Sequence, residues 1–407
     1  MSKTSPVLFE PVTVPAAKLE KHPHQIFRHY RPLTPLLKRD DGVYIAIRAE
    51  DVQTLITDAR TRQMETEIAR SRGVTSGPLF QFLQNTMLLS NGPVHRQRRA
   101  PLSRAFAFEF ITGLRPRIRA IADDIIDRCY EQGEMDLIGE YATWLPARVI
   151  CTILGVREAH IAAVTQHVYS LTRVFGSSFS KEDVPELQTA ADELMCYADD
   201  LLQDRRVNPC DDFLTSYADG LDKSQALSHG EALAQIVTLL LAGIDTTRGA
   251  LAIQTSLLLE HRQQWDAVCR DSSLIAGAVL ECLRYEPSVA SFPRVALEDI
   301  RLDGVLLPRN SVVSLSTLSA MRDPALYGDP DIFNIKRSDQ PRRQLVFGGG
   351  VHQCLGNILA KVELEEGLAA LTARLPNLEL DGDPVTVQGS GGIRTVKNLR
   401  VRWRRPI

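Results

Sequence analysis

The 407-residue chain balances 47 Lys and Arg against 50 Asp and Glu, the charges are well mixed, and the basic end Arg400, Arg402, Arg404, Arg405 is short. A net charge of −3 gives no reason to expect nucleic acid or an anionic membrane as partner. Seven cysteines, at 129, 151, 196, 210, 269, 282 and 354, show no paired spacing. That suits a reducing cytosol, and the first residues hold no apolar run of leader or anchor length, so a soluble cytoplasmic protein is expected. Hydrophobic content of 44% supports a large core. No linker, repeat or low-complexity tract cuts the chain. The expectation is one domain over 1–407, monomeric, with 1–40 loosely packed.

In chain order, a strand is expected at 43–48 and a helix at 52–58. Residues 62–91 have poor periodicity and contain Gly73, Gly77 and Pro78; long irregular segments commonly serve function. The run Asn91-Gly-Pro-Val-His95-Arg-Gln-Arg-Arg99 sets His95 and Arg99 four residues apart, facing one way on a helix. Helical patterns follow at 105–130, 145–154, 186–204, 231–262 and 275–284. Strand-like material is sparser, at 300–307 and 311–315. The segment 386–403 alternates weakly and suggests a hairpin about Gly391-Gly392. The fold class is mainly α with a small β region.

The helix at 231–262 is apolar enough to run buried through the molecule. Its middle reads Ala242-Gly243-Ile244-Asp245-Thr246-Thr247. Gly243 costs about 1 kcal/mol relative to Ala in a helix interior, so something should use the space it opens. Thr246 can hydrogen-bond back to a preceding carbonyl and bend the helix, and a buried Asp245 needs a partner. Taken alone, these features fit a kinked core helix equally well. Glu281 and Arg284 place opposite charges three residues apart on one face, worth a few tenths of a kcal/mol if exposed.

The most informative stretch is Phe347-Gly348-Gly349-Gly350-Val351-His352-Gln353-Cys354-Leu355-Gly356. Glycine belongs where the backbone turns through positive φ or approaches another body. From Cys354 onward, Leu355, Ile358, Leu359, Val362, Leu364 and Leu368 recur at helical spacing. The thiol therefore falls at a helix N-terminus, where unpaired N–H groups favour an anion and a thiolate ligand. A phosphate loop would need Gly-Lys-Ser/Thr at its end, and a dinucleotide fingerprint a third glycine in register after a strand. Neither is present.

This loop resembles the haem-binding loop of the cytochrome P450 superfamily in its soluble bacterial form, and the resemblance covers nearly the whole chain from about Tyr44. It implies the P450 fold, with haem b between a long central helix and the cysteine-bearing loop, and Cys354 as axial ligand of the iron. Phe347, Gly348 and Gly356 would belong to the cofactor cradle. Ala-Gly-x-Asp-Thr resembles the family's oxygen groove, which makes Ala242 and Gly243 lining residues and Asp245 and Thr246 the acid–alcohol pair that relays protons. His95, Arg99, Arg294 and His352 match positions that hold the haem propionates. Glu281 and Arg284 match the family's structural Glu-x-x-Arg pair, with Arg337 as third member. Arg96 and Arg98 are expected to face solvent and help dock an electron donor. Substrate contacts are implied within 64–89, between Thr165 and Pro185, at Ala242 and Thr246, and at 289–292.

The chain departs from the family pattern at Asn91, at Met321-Arg322-Asp323, at Gln344 and at Lys361, and keeps the ligand and the acid–alcohol pair. The implied activity is a haem-thiolate monooxygenase acting on a small hydrophobic compound. Its electrons would come from NAD(P)H through an external ferredoxin and ferredoxin reductase, since no length is spare for a fused reductase. A peroxide-driven peroxygenase would generally replace the Asp-Thr pair by an arginine-containing sequence, and a ligand-sensing haem module would not need that pair.

Overall fold

Proline opens many of the helices, as its missing N–H costs nothing in a first turn. The computed structural model describes residues 10–106, 108–175, 180–341, 344–382 and 385–404. In chain order, α1 (Ala16–Lys21), α2 (Pro23–Tyr30) and α3 (Ala49–Leu55) precede α4 (Glu67–Ser71), α5 (Gly77–Asn85) and α6 (Gly92–Ala105). Next come α7 (Phe108–Gly113), α8 (Arg115–Cys129), α9 (Trp144–Ile153), α10 (Ile161–Thr172), α11 (Val184–Val207) and α12 (Phe213–Ser224). The remaining helices are α13 (His229–Glu260), α14 (Arg262–Arg270), α15 (Ile275–Tyr285), α16 (Thr317–Ala320) and α17 (Asn357–Arg374). Pro23, Pro78, Pro93, Pro116 and Pro185 all stand in first turns.

Two expectations about helices are corrected. The pattern at 105–130 is not one helix: Phe106 leaves the helical region at ψ 47°, and Pro116 starts α8 afresh. The stretch 62–91 is not structureless. Gly77 and Pro78 mark the start of α5, which buries Leu79, Phe80, Phe82 and Leu83.

The chain divides into two compact units. The first comprises the described residues of Met1–Met64, Leu280–Cys354 and Gln388–Arg394. Its six-stranded sheet is built from β1 (Val12–Val14), β2 (Leu36–Arg39), β3 (Tyr44–Ala46), β4 (Thr61–Arg62), Ser291–Ala296 and Val312–Ser316. β3 runs parallel to Val312–Ser316, with Ile45 opposite Ser314, while Ser291–Ala296 pairs antiparallel with the same strand. The expected strand at 300–307 is a hairpin of Ile300–Leu302 and Val305–Leu307, turned by Asp303 and Gly304 at positive φ. Residues 10–40 are not loosely packed: Leu19, Ile26, Phe27 and Leu37 join a core cluster with Ile45, Ile47 and Leu318.

The second unit, Glu65–Val279 with Leu355–Val387 and Thr395–Ile407, is helical. It also carries a small sheet of Glu134–Asp136, Arg400–Arg402 and Glu379–Leu380. α13 forms its spine, opened by a reciprocal capping box between Ser228 and Glu231. This helix is long and apolar enough to cross a membrane, yet 78% of its most apolar window is buried inside the protein. The weak alternation at 386–403 resolves into short strands Val387–Gln388 and Thr395–Val396 flanking Gly391-Gly392.

Candidate functional site

In the first unit, the cysteine loop turns back on itself. The Cys354 amide donates to Phe347 O at 2.8 Å. Gly348 (φ 70°, ψ −159°) takes a conformation that is essentially glycine's alone, and Gly350 (φ 61°) stands in the left-handed region that favours glycine. Two glycines serve packing as well: a Cβ on Gly349 would lie 3.0 Å from Ile56, and one on Gly350 3.1 Å from Thr57. The body that Gly349 and Gly350 approach is the end of α3, on which they seat the loop. Cys354 is exposed, and Phe347, Gly348 and His352 are half-buried. Cys196 and Cys210 are also exposed, whereas burial pushes the thiols of Cys129 and Cys269 up to about 11 and that of Cys151 up to about 12. The helix after the loop begins at Asn357, with Gly356 as N-cap and open space where its Cβ would be.

Beside the loop, the Phe292 ring lies 3.7 Å from where a Gly348 Cβ would stand. Two residues on, Arg294 is buried and bonds Gln63 Oε1 at 2.7 Å and the Pro293 carbonyl. Among the described residues no carboxylate pairs with it, and burial alone draws its guanidinium down to about 10. Glu281 and Arg284 are both fully buried and joined by two hydrogen bonds of 2.7 and 2.8 Å. Arg337 approaches Glu281 at 3.4 Å, as the resemblance implied. Gln344 closes the cluster through Gln340 (3.1 Å) and Leu280 O (2.8 Å).

In the second unit, α13 presents one break in its burial. Leu239, Leu240 and Leu241 are buried, as are Ile244 and Thr247, whereas Ala242 is exposed and Gly243 and Thr246 half-buried. Thr246 donates its hydroxyl proton to Ala242 O at 2.7 Å, the back-bond expected for this residue. A Cβ on Gly243 would lie 3.1 Å from Ile150, so the missing side chain admits α9. Asp245 is buried and paired with Arg248 at 2.6 Å, and Arg248 lies over the Tyr169 ring at 4.3 Å.

His95 is buried in α6, with Arg99 half-buried one turn on. Burial, with Arg99 and Arg96 nearby, pushes the His95 imidazole down to about 4. Arg96 is exposed as expected, but Arg98 is not. Its side chain is 8% exposed, pairs with Glu231 at 2.8 Å and donates to Gln84 O at 2.9 Å. Residues 95, 98, 99 and 102 share one helical stripe, so Arg98 could not face away from His95. In the implied substrate segments, Met87 is pinned to α13 by Gln235 and Leu88 and Leu89 are half-buried. Between Thr165 and Pro185, residues 176–179 lie outside the described residues. The sequence reading missed Gln235, Thr238 and Glu363, three buried polar groups on or against α13. Only their place inside apolar runs could have marked them.

The chemistry of these residues fits an anionic, iron-bearing cofactor: Cys354 is an exposed thiol, and Arg294 of the same unit is a buried cation with which no carboxylate pairs among the described residues. The Cytochrome P450 family model matches residues 63–385. The chain is 40% identical to the plant-inducible cytochrome P450-pinF1 of Rhizobium radiobacter, over 97% of this chain and 93% of that one. It is 32% identical to the mycinamicin IV hydroxylase/epoxidase of Micromonospora griseorubida, over 89% and 90%. The crystal structure of P450BioI in complex with an acyl carrier protein carrying hexadec-9Z-enoic acid superposes with a TM-score of 0.86 at 28% identity, covering 95% of this chain and all of that one. The chain belongs to the cytochrome P450 family and is a P450 monooxygenase by class.

Proposed function

We propose that Cys354 is the axial thiolate ligand of a haem b, and that the protein inserts one oxygen atom from O2 into a small hydrophobic organic compound. Electrons come from NAD(P)H through a separate ferredoxin and its reductase. The reading rests above all on Ala242 and Thr246, one turn apart and open in a helix otherwise buried, because an apolar core helix leaves such a face uncovered where something else is to pack against it. The relative named a hydroxylase/epoxidase supports oxygen insertion as the reaction type.

When bound, haem supplies the oxygen and electron chemistry, and the protein supplies the thiolate, protons and a shaped dry cavity. Arg294, His95, Arg99 and His352 would hold the propionates, the arginines as charged donors and His95 as a neutral one. Ala242 keeps that face low. Thr246 donates its hydroxyl to Ala242 O, and a rotation of that hydroxyl would turn its O–H outward to hydrogen-bond in the cavity, with any proton it passes on replaced from solvent through Asp245. Arg248 occupies Asp245 Oδ1, leaving Oδ2 as the atom that can take up and release a proton. Val289 and Phe292 are half-buried and apolar, suited to a hydrophobic substrate, whereas Ala290 is core.

Two variants test the reading. Cys354→Ser is expected to lose the red-shifted thiolate band of the reduced CO complex; its retention would exclude Cys354 as ligand. Thr246→Ala is expected to keep that band but divert consumed reductant to hydrogen peroxide, with product formation down about tenfold to a hundredfold. Full product yield in Thr246→Ala would remove it from proton delivery.

A further inference from the structure

Two segments far apart in the chain, the helices at 16–30 and the turn at 389–394, meet in the unit that carries Cys354. The turn 389–394 lies along 288–291. There Arg394 N donates to Ser288 O at 2.7 Å, Ala290 N donates to Gly392 O at 2.8 Å, and Ile393 stands opposite Val289 in an antiparallel bridge. Directly opposed residues project to the same side. Ile393 and Val289, both half-buried, therefore make one apolar face. The turn itself is Gly389-Ser390-Gly391-Gly392, with φ of 105° at Gly389 and 64° at Gly392. Such a sequence has little shape of its own, so whatever fixes it must come from outside.

Two groups do so. The Glu20 carboxylate of α1 accepts the Gly389 N–H on one oxygen at 2.7 Å and the Ser390 N–H on the other at 3.0 Å. Arg394 is 2% exposed, donates across the turn to Gly389 O at 3.0 Å, and pairs with Glu286. Glu286 is shared with Arg322 at 2.6 Å and with His24 of α2 at 2.7 Å. Burial pushes the Glu286 carboxyl up, but Arg394, His24 and Arg322 outweigh it and hold it far below the carboxylate range. Burial lowers the pKa of the His24 imidazole, against the pull of the Glu286 carboxylate that it hydrogen-bonds.

We infer that Glu20 and the buried His24–Glu286–Arg394 chain are positioning residues that fix Ile393 against Val289, and so let the N-terminal helices set which substrates the cavity accepts by shape. This rests on the reading that Val289 lines the substrate cavity.

Glu20 is exposed, and its two bonds lie at the surface, so Glu20→Ala should fold normally and leave the reduced CO spectrum unchanged. Hydrogen exchange at 389–394 should accelerate at least about tenfold in this variant. The cavity is read on the holoenzyme with imidazole and with 4-phenylimidazole, by the Soret shift on titration. Ile393→Ala and Glu20→Ala should each change the 4-phenylimidazole Kd by about threefold or more while leaving imidazole unchanged. The double variant should show no further change over Ile393→Ala, as for two residues acting through one contact. If Ile393→Ala shifts 4-phenylimidazole and Glu20→Ala does not, or if the two effects simply add, the positioning role is overturned and the cavity reading stands. If Ile393→Ala is itself silent, the cavity reading beneath the inference is overturned with it.

Discussion

Arg294 keeps a full charge at 3% exposure with only an amide and a carbonyl as oxygen partners among the described residues. A buried cation without a counter-charge is costly, and replacing one by an apolar residue of similar volume is often neutral or stabilising. Arg294→Leu is therefore expected to leave the thermal unfolding of the haem-free protein unchanged or raised. In the holoprotein it should speed transfer of haem to an apo-globin acceptor by about tenfold. Equal transfer rates in the two proteins would remove Arg294 from the propionate clamp. The sequence singled out Arg294 and Cys354 by the family pattern and the glycine-bared loop, and the structure adds that one is buried and the other exposed. Arg98 was misread because a side chain three residues from a buried histidine shares its stripe, and the partner that draws it in, Glu231, lies far along the chain.

The helix that carries Asp245 and Thr246, α13, and the helix that follows Cys354, α17, touch through a buried acid. Glu363 is 1% exposed, hydrogen-bonded with the Thr247 hydroxyl, and leaves Oε1 without a hydrogen-bond partner among the described residues. Burial pushes its carboxyl well above the ordinary 4.5. Below that pH the folded and unfolded chains both hold the proton. As pH rises the unfolded chain releases it while the folded chain keeps it, so this residue draws stability down until the folded group itself ionises. Glu363→Gln carries no such proton. Relative to the parent, it should gain stability in urea unfolding at about pH 8 and gain nothing at about pH 4. A constant difference across that range would mean that Glu363 is ionised in the folded protein. Periodicity revealed α13 because its apolar residues are nearly continuous. It did not reveal the breaks around α7, where one amphipathic pattern runs through a change of direction and only Pro116 signals the restart.

At the scale of the molecule, the first unit is assembled from pieces of chain far apart in sequence, and no local pattern shows how they join. β3 lies parallel to Val312–Ser316 across more than half the chain, and the glycine loop rests on Ile56 and Thr57. Both depend on long-range packing that composition does not encode. The Glu281 cluster shows what holds these pieces. Its carboxylate accepts from Arg284 Nε and Nη2, from Asn334 N at 2.8 Å and from Gln340 Nε2 at 3.0 Å. Arg284 in turn donates to the carbonyls of Met321, Pro330 and Ile332. One buried ion pair thus ties the end of α15 to the segment that leads into the cysteine loop. Removing one partner of such a pair leaves an uncompensated charge and costs about 3–5 kcal/mol. Glu281→Gln should lower the urea midpoint accordingly, and it should do so unevenly. Amide exchange should rise first across 321–352, while α13 keeps its protection. Because haem would depend on Cys354 at the end of that segment, the variant should also be recovered with little bound haem. A Glu281→Gln protein with parental stability and a full complement of haem would show that the cluster is an ordinary packed pair with no hold on the ligand loop.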